Sequence, residues 1–561
     1  MSLHHITHRQ KVIVMAAVMS ALFLVALDQT IIATALGKIV EEFNSFSSLS
    51  WVVTAYLLTT TVTVPIAGKM SDIFGRRKVL LTGVTVFALG SFLSGGAMSI
   101  EQLIFSRAFQ GIGGGIIMAN AFTIVGDLFS PRERGKWQGL IGAVFGLSSV
   151  IGPLLGGFLT DPHSILGLTT NWRWTFWINV PIAIVSFAII ARFMPVIRHD
   201  HKPAIDYLGA GFLAAALSAL ILAVDNTDKI FASLIDGGIS NMTIKTALYV
   251  IVLLAVGLFI WVERRASEPI IPLGFFRNRT FSTLMVVSLL FGAAFLGAIL
   301  YLTQFNQQVF GANATESGLM LLPMIIGLSG TAAAVGQLVS RTGRYKLPII
   351  AGFSVATAAI FALSFLTPDS PYWLEAIIMF FTGVGLGAGM PILNLAVQNE
   401  FTQKDLGAAT ASVQLFRGLG STVGTAILGT MLVSGVTTQL GDLSRDSYIQ
   451  TLTKQPAAAQ MLGTIDADTA LNLNTHGFKD MINTGFDKAT ATLPPQVRET
   501  AKASFAAEQS AFSDKVVNAF SDSLRTVFYT SSTLMLAATI VALGIVEKPL
   551  RGGHDDTPGL A

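Results

Sequence analysis

Gly68-Lys69-Met70-Ser71-Asp72-Ile73-Phe74-Gly75-Arg76-Arg77-Lys78 follows one long apolar run and precedes another. Gly336-Gln337-Leu338-Val339-Ser340-Arg341-Thr342-Gly343-Arg344-Tyr345-Lys346 has the same setting, with both glycines, the arginine and the final lysine in register. A second pair of stretches, 135–157 and 407–429, agrees in the same way. Apolar runs able to cross a bilayer need about 20 residues. The chain holds fourteen: 12–36, 51–70, 79–98, 101–124, 137–160, 174–195, 206–225, 245–263, 280–302, 316–339, 347–366, 373–396, 407–433 and 525–546. Both repeats are then eight runs apart. Two six-helix halves with a helix pair inserted between them explain that offset, and repeated halves around a midplane site are a transporter plan.

Composition agrees. The chain has 561 residues, of which 52% are hydrophobic and 12% charged. Its mean hydropathy is +0.63. Soluble domains carry about a quarter charged residues, so the solvent implied here is lipid. The run 12–36 contains Asp28 and exceeds a signal-peptide core, so it reads as the first span. If the chain starts in the cytoplasm and alternates, twenty-two Lys and Arg fall inside, against Lys38, Arg173, Lys229 and Lys245 outside. This is the positive-inside pattern, and one span more or fewer would reverse every later loop. It predicts an inner-membrane protein with both termini cytoplasmic. The expected divisions are 1–203 (six-helix bundle), 204–270 (inserted pair), 271–433 (helices 9–13), 434–524 (extracytoplasmic helical hairpin) and 525–561 (helix 14 and tail). Within the hairpin, 456–462 and 497–520 favour helix.

Charges inside spans carry the chemistry. Asp28 lies about 12 Å deep in the first span and Arg107 about 10 Å deep in the fourth, at 1.5 Å per residue. Lone buried charges are costly, so they should pair or face a wet cavity. A carboxylate pulled upward by burial and downward by an arginine can load and release a proton; a static pair that fixes packing is the competing reading. Asp72 can face a helix N-terminus or a basic side chain, Gly68 and Gly75 permit a tight turn, and Arg76, Arg77 and Lys78 anchor it at an anionic surface. Gly152, Pro153, Gly156 and Gly157 predict a bend and close packing through a small face. Arg417 lies deep in the thirteenth span with no evident partner. Phe23, Tyr56, Phe109, Phe122, Phe291, Phe295, Tyr301, Gln304, Gln337, Phe381 and Asn394 are candidates for a cavity suited to bulky or cationic ligands.

Several functions are excluded or disfavoured. Without cysteine there is no disulfide or thiolate site. Gly111-Ile112-Gly113-Gly114-Gly115 lacks the Lys-Ser/Thr of a phosphate loop, so ATP drive is not expected. The histidines show no metal-ligand spacing. No cofactor, metal, nucleic acid or enzymatic activity is expected, and the protein reads as monomeric.

These residues also carry a family resemblance. The stretch 68–78 resembles the signature loop of the major facilitator superfamily, Arg107-Ala108-Phe109-Gln110-Gly111-Ile112-Gly113 its span-four motif, and Gly152-Pro153-Leu154-Leu155-Gly156-Gly157 the span-five motif of its antiporters. Leu27-Asp28-Gln29-Thr30-Ile31, the stretch 171–181 and the stretch 272–281 resemble marks of its fourteen-helix drug:proton antiporters. The likeness runs from about residue 12 to 433 and resumes in the last span. It implies an all-α major facilitator fold of 6 + 2 + 6 helices and proton-coupled export of hydrophobic or cationic drug-like molecules. It also implies coupling roles for Asp28 and Arg107 and a loop that latches the halves. Ser340 stands where the first loop has Asp72, so any second latch should be weaker. Two other functions remain open: export of a native lipid, siderophore or metabolite, and a non-transporting receptor or scaffold that binds a partner through 434–524.

Overall fold

A computed structural model describes residues 7–43, 49–160, 163–165, 167–195, 206–224, 227–312, 314–402, 404–453, 467–491 and 494–550. Among them, fourteen helices are long and apolar enough to cross a membrane. They are α1 (His8–Phe43), α2 (Leu49–Phe74), α3 (Arg76–Gly95), α4 (Ile100–Leu128), α5 (Pro131–Thr160), α6 (Asn179–Phe193), α7 (Tyr207–Val224) and α8 (Asn241–Glu263). The series continues with α9 (Arg279–Val309), α10 (Leu322–Thr342), α11 (Lys346–Leu363), α12 (Tyr372–Gly387, continued by Gly389–Glu400), α13 (Leu406–Leu440) and α14 (Pro495–Ala542). A two-stranded antiparallel ribbon, β1 (Ser164–Ile165) with β2 (Leu168–Thr169), lies between α5 and α6. Nothing in the apolar pattern signals it.

Local chemistry sets the helix ends. Gly75, at φ 91°, separates α2 from α3, and Gly343, at φ 71°, ends α10. Ser99 and Asn278 accept backbone N–H bonds at the starts of α4 and α9, the usual work of an N-cap. In α12, Pro391 cannot donate to the Gly387 carbonyl one turn back, and the helix breaks at Ala388. By contrast α5 runs unbroken through Pro153.

One apolar cluster joins α1, α3, α4 and α6, and another joins α9, α11, α12, α13 and α14. The pair α7–α8 packs beside α2 and α13, tied to α2 by Lys69 Nζ on Glu268 at 2.7 Å. Outward faces are also apolar: Leu89, Phe92, Phe105, Leu253 and Leu254 are all exposed. Such continuous apolar surface suits contact with acyl chains.

The glycines of the internal repeat meet across the halves. A Cβ on Gly68 of α2 would strike Ala411 and Gly407 of α13; one on Gly336 of α10 would strike Gly135 of α5. Both crossings lie at the end carrying the basic turns, which is therefore shut.

The insertion folds as short helices, Ser447–Thr453, Ala467–Leu473 and His476–Thr490, packed against the start of α14. Phe486 stacks on Phe505 at 4.0 Å, and Tyr448 lies 5.2 Å from Phe512. The segment 456–462, expected to be helical, lies outside the described residues. The second arm of the hairpin does not end at 524: α14 is one helix of 48 residues. From Val497 to Ala542 there is no Gly or Pro to interrupt it. At 1.5 Å per residue it is about 72 Å long, more than twice a hydrocarbon core. Asn474 donates to the Gln308 carbonyl and side chain at 3.1 and 2.9 Å, clipping the insertion to the end of α9. Phe505→Ala should cost about 3 kcal/mol of local stability. Hydrogen exchange should then rise across 447–490 with the protection of α1–α6 unchanged; a global loss of protection would mean the insertion is part of the membrane core.

Candidate functional site

Asp28 and Arg107 meet inside the N-terminal half. Arg107 Nη1 lies 2.5 Å from Asp28 Oδ2, and their side chains are 1% and 0% exposed. Gln110, one turn along α4 from Arg107, donates to Asp28 Oδ1 at 2.9 Å and accepts from Arg107 at 2.8 Å. Asn179 of α6 donates to Asp28 Oδ1 at 3.3 Å and to Ser91 of α3 at 3.0 Å. The guanidinium sits over the Tyr56 ring at 4.2 Å, with Phe176 at 5.5 Å. Side chains from α4 and α6 thus converge on one carboxylate of α1, whose charge is matched by a cation and two amide donors. Such a network holds the anion firmly. Its protonation would remove the counter-charge of Arg107 and loosen the junction. Gln110 and Asn179 stood within motifs but were assigned no role; a polar residue one turn from a buried charge is the signal that could have found Gln110.

At the basic end, Asp72 accepts from Gly407 N at 3.1 Å and Ala408 N at 3.0 Å. These belong to the first turn of α13, so a carboxylate of one half caps a helix of the other. Arg76 pairs with Asp72 and, at 2.7 Å, with Asp127 of α4. Arg77 donates to the Ala191 carbonyl of α6, while Lys78 is exposed. The second loop differs. The start of α5, opposite Ser340's helix, is capped within its own chain segment by Ser130 and Glu133. The N-terminus of α11 is capped by Glu547 from the far end of the chain, at 2.7 and 3.0 Å. Gln398 of α12 completes the contact between halves, donating to the Phe122 carbonyl at 3.0 Å.

In α5 the glycines bring backbones together. A Cβ on Gly152 would strike Thr30 of α1, and Pro153 packs beside Gly318. Gly156 is buried and Gly157 half-buried.

The aromatic and amide candidates scatter. Phe109, Gln337 and Phe381 are exposed: Phe109 shares an apolar stripe with Phe105 and Ile112, Phe381 one with Ile377 and Phe380, and Gln337 follows the Gly336 that meets α5. Tyr56 lies beneath Arg107, and Phe291 stacks on Phe353 at 5.3 Å. Tyr301 donates to the Thr425 carbonyl at 3.0 Å, and Asn394 to the Met390 carbonyl at 3.0 Å. These four are packed within the halves. Phe23, Phe295 and Gln304 are half-buried, and Phe122 is buried where α4 meets α13. The described residues contain no cluster of three or more potential metal ligands.

Comparison with known proteins follows the same lines. The family model for the Major Facilitator Superfamily matches residues 18–425. The multidrug transporter protein MdtP of Bacillus subtilis is 34% identical over 97% of this chain and 94% of its own. An uncharacterized MFS-type transporter of Mycobacterium tuberculosis is 35% identical over 98% of this chain and 71% of its own. The crystal structure of the human organic anion transporter MFSD10 (TETRAN) superposes with a TM-score of 0.59, covering 95% of this chain and 99% of that one. At 14% identity that last likeness bears on the fold alone. The chain is a multi-pass membrane protein that belongs to the Major Facilitator Superfamily, a family of transporters and not of enzymes.

Proposed function

We propose that this chain is a proton-coupled antiporter of the cytoplasmic (inner) membrane, which exports hydrophobic drug-like compounds by alternating access. The observation that carries the reading is the sealed Asp28–Arg107 pair and its connection through α4. Arg107 stands near one end of that helix. Phe122, whose carbonyl accepts from Gln398 of the other half, lies further along it. Asp127, near its other end, holds the Arg76 that holds Asp72. A change of charge at Asp28 therefore acts on a helix that also touches the contacts closing the halves. The basic turns support a cytoplasmic side for the shut end and for both termini; on that reading the insertion stands outside. This is the state a proton and a substrate would meet from outside. Its relatives among multidrug transporters, MdtP of Bacillus subtilis among them, support the substrate class. We take the protein to work as a monomer, since the two halves already supply both walls of the path.

The test is purified protein in proteoliposomes loaded with Hoechst 33342 under an imposed pH gradient. Dye movement should follow the gradient and stop when nigericin collapses it. Equal flux with and without the gradient would overturn proton coupling.

A further inference from the structure

Arg417 of α13 is the cation that the Asp28 network leaves unexplained. The residue is 7% exposed. Its guanidinium donates to Gln414 Oε1, one turn away on the same helix, and lies 5.8 Å from the centre of the Phe122 ring. No carboxylate pairs with it among the described residues, whereas Arg107 has Asp28. A buried guanidinium without a counter-charge costs several kcal/mol, so an arginine held this way calls for an anion or water in the working protein.

Gln414 adds a second, independent mark. A guanidinium can only donate, so the amide oxygen must face Arg417 and the amide nitrogen must face away. That nitrogen, Nε2, is buried and has no acceptor, in a residue 5% exposed. The neutral amide donor thus stands without an acceptor beside a charged donor whose one acceptor, among the described residues, is the oxygen of that same amide. Their position is also informative. The backbone of Arg417 is pressed against Gly292 of α9, while its head reaches Phe122 on α4 of the opposite half. A ligand here touches both halves. Of the buried carboxylates, Asp28 is engaged by Arg107, and Asp72 and Asp127 by Arg76; Glu375 of α12 has both oxygens without a partner and is no partner of Arg417.

Resting on the transport reading above, we infer that Arg417 and Gln414 form the docking point for an anionic group of the transported molecule. The substrate class is the amphipathic organic anion, a carboxylate or sulfonate on an apolar body that lies against Phe122. The planar guanidinium takes the oxyanion and the Gln414 amide takes a second oxygen. This replaces the cation that aromatic side chains alone suggested.

The experiment uses the full-length purified protein, with radiolabelled taurocholate as anion and tetraphenylphosphonium as cation, read by scintillation proximity. Wild type should bind taurocholate saturably. Arg417→Gln should weaken it at least tenfold and leave tetraphenylphosphonium unchanged or tighter. Arg417→Lys should keep most of the anion affinity. Gln414→Leu, which leaves the charge in place, should weaken the anion several-fold and serves if Arg417→Gln does not fold. Equal taurocholate affinity in wild type and Arg417→Gln, or no taurocholate binding by wild type, would overturn the inference. Gradient-driven Hoechst efflux that persists in either case would leave the transport reading standing; loss of that efflux in wild type would remove the transport reading itself.

Discussion

Asp28→Asn should abolish gradient-driven efflux, bringing dye movement down to that of protein-free liposomes, and should lower stability by about 3 kcal/mol. The second effect follows from the first residue's partner. Removing one member of a buried ion pair leaves the other as an uncompensated charge, at a cost of about 3–5 kcal/mol. Arg107 is 1% exposed and keeps Gln110, the Val52 carbonyl and the Tyr56 and Phe176 rings, none of them charged, when the carboxylate charge is gone. The asparagine preserves shape and can still accept a hydrogen bond, so the protein should still insert. The informative variant is double. Asp28→Asn with Arg107→Gln removes both charges and should recover most of the thermal stability. It should not recover transport, because no group that takes up a proton remains at the centre of the half. Wild-type efflux in the double variant would mean the pair is a static packing device.

The next largest effect is expected at the latch. Asp72→Asn keeps the side-chain size but exchanges a charged acceptor for a neutral one at the N-terminus of α13. Hydrogen bonds to an ionised group are worth about 1.5–3 kcal/mol, against about 1 for neutral ones, and Arg76 also loses half of its counter-charge. A difference of about 1.4 kcal/mol is tenfold in an equilibrium, so the shut basic end should lose at least tenfold in population relative to the open one. The chain has no cysteine, so thiols introduced at Lys78 and Lys404 can be spin-labelled without background. Both side chains are exposed on the two sides of the α2–α13 crossing. Electron–electron distance measurements should show one short distance in wild type and a second, longer population in Asp72→Asn. An unchanged distribution would mean that Gly68 against Ala411 holds the crossing without the carboxylate. Among the described residues the α5–α10 crossing has no equivalent carboxylate between the halves, so Ser340→Ala should leave the distribution unaltered.

What the sequence determines by itself here is whatever depends on a residue's solvent. Fourteen runs are apolar enough for lipid, and fourteen such helices form. The repeated glycine loops locate the two crossings because a backbone can approach another closely only where side chains are absent, wherever the partner comes from. Depth along a helix is arithmetic, so Asp28 and Arg107 could be assigned a common level before their 2.5 Å contact was seen. Tertiary structure decided what depends on rotation and partners. Helices that are apolar all round carry no stripe to show which face turns inward, so Phe109, Gln337 and Phe381 could not be told from Phe122. The absence of Gly and Pro after Val497 was legible, yet the change from polar to apolar residues near 525 suggested a boundary that a helix does not feel. The sequence left Arg417 without an evident partner but did not show the unmet Gln414 amide beside it. An unpaired charge is defined by what does not approach it, and only the packing of α4 against α13 settles which side chains come near.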